Sequence, residues 1–129
     1  PSTKALIFGT GGASKAVQYI LKRRGVEYSV VSRSPERGDY TYESLTPEIL
    51  ASHTLLINAT CVGMAPKVEE VLPLPYDAIN VSHKVFDLIY NPATTQLLGY
   101  ANDRGAATMN GILMLQTQAI ASWHIWSKE

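Results

Sequence analysis

ALIFGTGGASKA, residues 5–16, is the stretch that decides how this chain folds. Four apolar residues, Ala5-Leu6-Ile7-Phe8, run straight into Gly9-Thr10-Gly11-Gly12, and the small residues Ala13, Ser14 and Ala16 follow. A short apolar run without alternation suits a strand buried on both faces. The nearest pattern is G-x-G-x-x-G, the strand–turn–helix fingerprint that cradles a dinucleotide pyrophosphate. Glycine lets the backbone turn tightly and come close to the phosphates, and free amides at the helix start then face the anion. The third glycine position is Ser14 here, small enough for helix and strand still to pack closely. A glycine-rich turn that holds nothing is the competing reading, and the loop by itself leaves it open.

Working outward, further apolar runs read as strands at 28–31, 55–57 and 85–90, with a weaker one at 107–109. Helical patterns lie between them. The segment 12–24 carries Ala16, Val17, Ile20 and Leu21 on one face and stops at Gly25. Thr46-Pro47-Glu48 combines an N-cap, a proline in the first turn and an acid near the positive helix end. A helix at 94–104 follows Asn91-Pro92, and the longest spans 111–126. Strands alternating with helices imply parallel pairing through right-handed crossovers. The expected fold is therefore α/β, a Rossmann-like three-layer sandwich with a mostly parallel sheet flanked by helices. The proline-bearing segment 61–77 reads as a long loop, and loops of that length are often functional.

At 129 residues the chain suits a single domain. Eleven basic residues balance eleven acidic ones, which gives no indication of a nucleic-acid or anionic-membrane surface. No apolar run reaches the length of a membrane span. Cys61, the one cysteine, has no internal partner for a disulfide, which fits a reducing, cytoplasmic setting. The opening Pro1-Ser2-Thr3-Lys4 enters a strand almost at once, and we expect a piece of something longer.

The end of the second strand sharpens the dinucleotide reading. An NAD site usually places Asp or Glu there, bonded to the ribose 2′-hydroxyl. This chain reads Val30-Val31-Ser32-Arg33-Ser34-Pro35-Glu36-Arg37, with no acid at the tip. Guanidinium groups and hydroxyls would hold a 2′-phosphate that a carboxylate would repel. A solvated basic loop is the plain alternative. Placed after a glycine loop and a strand, Arg33 and Arg37 favour NADP.

Other reactive side chains read as structural. His53, His83 and His124 show no metal-ligand spacing and suit surface or loop positions. Cys61 reads as a small apolar residue, Lys15 as part of the glycine-loop helix, Lys84 as a strand flank and Asp87 as a loop cap.

Five segments in order resemble the C-terminal, NADP-binding half of shikimate dehydrogenase. They are Gly9 to Ala16; Ser32-Arg33-Ser34, where that family usually has Asn-Arg-Thr; Ile57-Asn58-Ala59-Thr60-Cys61-Val62-Gly63-Met64, with Cys61 in place of a proline; Asp87-Leu88-Ile89-Tyr90-Asn91-Pro92; and Gly111-Ile112-Leu113-Met114-Leu115 with Gln118. The resemblance implies roles. Gly9, Thr10, Gly11, Gly12 and Ala13 would bind the pyrophosphate, and Ser32, Arg33, Ser34 and Arg37 the adenosine phosphate. Thr60, Leu88 and Gly111 would line the nicotinamide end, while Tyr90 and Gln118 would reach the substrate. It further implies NADP-linked interconversion of 3-dehydroshikimate and shikimate, a step of aromatic amino-acid biosynthesis. In that family a Lys and Asp pair for proton transfer lies in an N-terminal domain, so no catalytic residue is expected in this chain. A quinate-type dehydrogenase and a non-catalytic dinucleotide-binding regulatory module are the alternatives. Apolar surface around Met64, Tyr90 and Met114, without that domain, would invite self-association, so a homodimer is left open.

Overall fold

The computed structural model describes residues 4–89 and 91–110. The expected closing helix at 111–126, and with it Gly111 and Gln118, lies outside the described residues, as does Tyr90. In chain order the elements are β1 (Lys4–Phe8), α1 (Gly12–Arg23), β2 (Glu27–Ser32), β3 (Tyr40–Thr41), α2 (Pro47–Ser52), β4 (Leu55–Asn58), β5 (Lys84–Asp87), α3 (Gln96–Asp103) and β6 (Ala107–Met109). Single 3₁₀ turns occur at Tyr42–Ser44 and Tyr76–Ala78.

All six strands join one sheet in the order β3-β2-β1-β4-β5-β6, every neighbouring pair parallel. That is the doubly wound order in which the chain leaves β1 in one direction for β2 and β3, then returns to its other side for β4 to β6. β1 lies in the middle, with Ile7 in register with Val30 on one side and Ile57 on the other. Successive side chains of a strand point to opposite faces, and the core divides accordingly. Leu6, Phe8, Val31, Leu56 and Val85 join Leu50 of α2 and Leu97, Leu98 and Ala101 of α3. Ala5, Ile7, Leu55, Ile57 and Phe86 join Val17 and Leu21 of α1. The three-layer α/β expectation is met.

Three boundaries differ from the sequence reading. The run 85–90 stays a strand only to Asp87, whose Oδ1 accepts the Ile89 amide at 3.0 Å and turns the chain out of the sheet. The helix expected from 94 starts at Gln96, because the Thr95 hydroxyl caps it by accepting the Leu98 amide. β3 was not anticipated. It is held by Asp39, whose backbone amide donates to the Val30 carbonyl at 2.8 Å while its carboxylate accepts the Val30 amide at 2.8 Å. Gly38 makes this clip feasible, since a Cβ there would stand 2.8 Å from the Val30 carbonyl oxygen. At α2 the expectation holds: Thr46 Oγ1 accepts the Ile49 amide, and Pro47 opens the helix.

Candidate functional site

The strands end at their carboxyl edge in a cleft of about 720 Å³, over β1, β2 and β4. Its position is the switch point of the sheet, where an open α/β fold leaves a crevice. Of the residues singled out from sequence, Gly9, Thr10, Ser32, Arg33, Ser34, Arg37 and Thr60 line it. Gly11, Gly12 and Ala13 continue from Thr10 as the exposed start of α1. Leu88 stands at the end of β5, half-buried against the Ile7–Ile57 cluster and bonded through its amide to the Asn58 carbonyl, outside the cleft lining.

The three glycines of the loop play different parts. Gly9 has φ +111°, and a Cβ on it would lie 3.0 Å from Thr60 Cγ2 and 3.1 Å from the Ala59 carbonyl oxygen. The turn itself requires glycine there. Gly11 has an ordinary φ of −79°, and a Cβ at Gly11 or Gly12 would meet nothing within 4 Å among the described residues. Packing among the described residues does not call for glycine at these two positions, and open space lies in front of them. Among the described residues no side chain caps α1, and its first turn carries no acid, so no described group neutralises its amides and positive end. Ser14 is fully buried, its Oγ accepting from Gln18 Nε2, which fits a small residue at the position of the missing third glycine.

On the other side the tip of β2 carries Arg33 and Arg37, both exposed. Neither forms an ion pair among the described residues, where the one such pair is Arg104 with Asp77. Ser32 is buried and accepts the Ser34 amide at 3.0 Å. The Ser34 hydroxyl donates to Glu36, which holds that carboxyl below its usual range. Behind the tip stands Tyr42, stacked on Phe8 with ring centroids 6.2 Å apart. Burial pushes its phenol up, and the nearby Arg33 charge partly opposes this.

Thr60 is fixed from below. Asn58 Oδ1 accepts both the Thr60 amide at 2.9 Å and its hydroxyl at 2.6 Å. Asn58 Nδ2 donates to Asp87 Oδ1 at 3.1 Å, and Thr95 Oγ1 donates to Asp87 Oδ2 at 2.6 Å. Asp87 is thus more than the loop cap expected: it ties β4, β5 and the start of α3 together. Burial raises its pKa, with the Thr95, Ile89 and Asn58 hydrogen bonds opposing.

Several lining residues escaped the sequence reading. The segment after β4 supplies Val62, Ala65, Pro66, Lys67 and Glu70, and Tyr42 comes from the turn after β3. The proline-rich length of 61–77 was the available signal. Cys61 also lines the cleft and is exposed, so the small apolar role expected for it is replaced by a place on the wall. His53 and His83 sit in loops but are buried, not at the surface. His53 Nδ1 lies 2.7 Å from the Ile49 carbonyl and His83 Nε2 lies 2.7 Å from the Leu50 carbonyl, so both serve as internal braces. Lys84 opens β5 at the opposite edge of the sheet, and Lys15 is an exposed residue of α1, as expected. No group of three metal-ligating side chains occurs among the described residues. No helix there is long and apolar enough to cross a membrane.

Strand order, switch-point cleft and glycine-opened helix together define a Rossmann-like dinucleotide-fold domain. No protein-family model matches the chain. Over nearly its whole length the chain is similar to proteins named shikimate dehydrogenase. The shikimate dehydrogenase (NADP(+)) of Caldanaerobacter subterraneus subsp. tengcongensis is 34% identical over 141 aligned positions, covering 98% of this chain and 50% of that protein. The crystal structure of shikimate dehydrogenase 1 from Peptoclostridium difficile superposes with a TM-score of 0.75 at 37% identity, covering 98% of this chain and 48% of that one. A shikimate dehydrogenase crystallised in complex with NADP+ superposes with a TM-score of 0.74 at 25% identity, covering 99% of this chain and 50% of that one. The chain therefore spans about half the length of the curated relatives it matches.

Proposed function

We propose that this chain is the C-terminal, NADP-binding half of a cytoplasmic shikimate dehydrogenase, which reversibly reduces 3-dehydroshikimate with NADPH. The observation that carries the reading is the pair Gly11 and Gly12, which packing among the described residues does not require and which leave the start of α1 open just beyond Thr10 on the cleft lining. Gly9, Thr10, Gly11, Gly12 and Ala13 would hold the pyrophosphate through backbone amides. Ser32, Arg33, Ser34 and Arg37 would hold the adenosine 2′-phosphate. Thr60, braced by Asn58, would stand toward the nicotinamide end, with Leu88 and Gly111; Tyr90 and Gln118 would reach the substrate. Bound NADPH supplies the hydride. The other half of the enzyme would supply the Lys and Asp pair and the opposite wall of the substrate site.

The test is fluorescence titration of this chain with NADPH and NADH. A charge-assisted hydrogen bond contributes roughly 1.5–3 kcal/mol, so NADPH is expected to bind about tenfold or more tightly. Arg33→Ala should weaken NADPH far more than NADH. Equal or reversed affinities in the unaltered chain would sink the NADP assignment.

A further inference from the structure

Beside the adenosine-phosphate side of the cleft, in an adjoining hollow lined also by Thr10, Lys15 and Arg37, stands a carboxylate that nothing in the proposed function uses, Glu36. Ser34-Pro35-Glu36-Arg37 forms a tight turn, closed by the Arg37 amide on the Ser34 carbonyl at 3.1 Å. Proline at its second position presets such a turn. The turn folds the Glu36 side chain back onto Ser34, whose hydroxyl donates to Glu36 Oε1. The Ser34 amide is likewise engaged, by Ser32 Oγ. Arg33 and Arg37 lie close by without an ion pair among the described residues. The carboxylate thus holds the hydroxyl that a phosphate oxygen would need, while neither guanidinium group is in an ion pair among the described residues.

We infer that Glu36 is an internal occupant of the phosphate position: it takes the Ser34 hydroxyl in the free protein and thereby narrows the preference for NADPH over NADH. The inference rests on the NADP reading above. A phosphate arriving at Ser34 meets a like charge and must displace it. NADH carries a hydroxyl at the same place, which can donate to a carboxylate and so suffers no such conflict. Arg33 and Arg37 favour the phosphate, Glu36 favours the hydroxyl, and the net preference is their difference.

The experiment compares NADPH and NADH dissociation constants by fluorescence titration at low ionic strength, where exposed charges are least screened. Glu36 is fully exposed, and circular dichroism would confirm that its variants fold. Glu36→Gln is expected to tighten NADPH about three- to fivefold, the scale of an exposed charge pair, and to leave NADH within about twofold. In a Ser34→Ala background the gain should fall by about half or more, because the two residues act through one contact. An unchanged or narrowed NADPH-to-NADH ratio in Glu36→Gln overturns the inference. Arg33→Ala separates the two failures. If it lowers the ratio and Glu36→Gln leaves it alone, only the role of Glu36 falls. If neither variant changes the ratio, the phosphate site itself is misassigned and the inference falls with it.

Discussion

Gly11 is the residue at which fold and function come apart most cleanly. Its φ of −79° suits any L-residue, and the space around its absent Cβ is empty among the described residues. Gly11→Val should therefore leave a folded protein while filling the volume a pyrophosphate would occupy. The expected outcome is a native circular dichroism spectrum with cofactor binding lost. Native binding by the folded variant would reduce the loop to a turn. Gly9 offers no such separation, because its positive φ and its crowding against Thr60 and Ala59 make any substitution a folding defect first. The tight-turn reading of the loop thus holds at Gly9, while the cofactor reading of Gly11 and Gly12 is the one that the Gly11→Val experiment tests.

At the scale of elements, the Asn58–Asp87–Thr95 cluster joins two strands to the cap of α3 by way of one buried carboxylate. Burial raises the Asp87 pKa in the folded protein. Above the ordinary aspartate value of about 3.9 and below the raised native value, the folded state binds more protons than the unfolded one. Stability from this group therefore falls as pH rises through that interval. Asp87→Asn keeps an acceptor for Asn58 and Ile89 but cannot titrate. Urea unfolding at stepped pH should show the variant gaining on the unaltered chain as pH rises across the interval; a flat or falling difference would contradict the raised pKa. The central strands were legible because unbroken apolar runs such as Ala5 to Phe8 have few other uses. The Asp87 cluster was not, since its partners lie 29 and 8 positions away in the chain. The same applies to His83, whose brace to Leu50 spans 33 positions. β3 was invisible because two half-exposed residues carry no periodicity, and its cause is an aspartate clipped onto Val30. On the cleft, the glycine loop and the arginine tip announced themselves by residue type, whereas the wall from Val62 to Glu70 has no chemistry of its own until the fold brings it round.

For the molecule as a whole, the proposed function leaves the opposite wall of the substrate site to the other half of the enzyme, and we expect this chain alone to give no NADP-linked oxidation of shikimate. Orienting two reactants is worth about 7–11 kcal/mol of barrier, and residues on one side of a ring cannot supply it. An NADP-linked assay on this chain, and on the same chain joined to the N-terminal half of a relative, tests the point. Comparable turnover by the chain alone would place the proton-transfer groups here and reopen Lys15 and Lys84. The strand order carries a further consequence, for the rate at which backbone protons are lost to solvent. β1 is sheltered on both sides, whereas β3 clings to the sheet edge through two residue pairs, Val31 with Tyr40 and Ser32 with Thr41. Deuterium should enter Leu6, Ile7 and Phe8 only when the whole domain unfolds, but reach the amides from 30 to 41 through local opening. The end of the cleft that would tell one cofactor from the other thus hangs on the most readily opened part of the sheet. NADPH should slow exchange there and leave β1 unchanged at its already low rate; protection spread evenly over the sheet would show that the edge does not open separately.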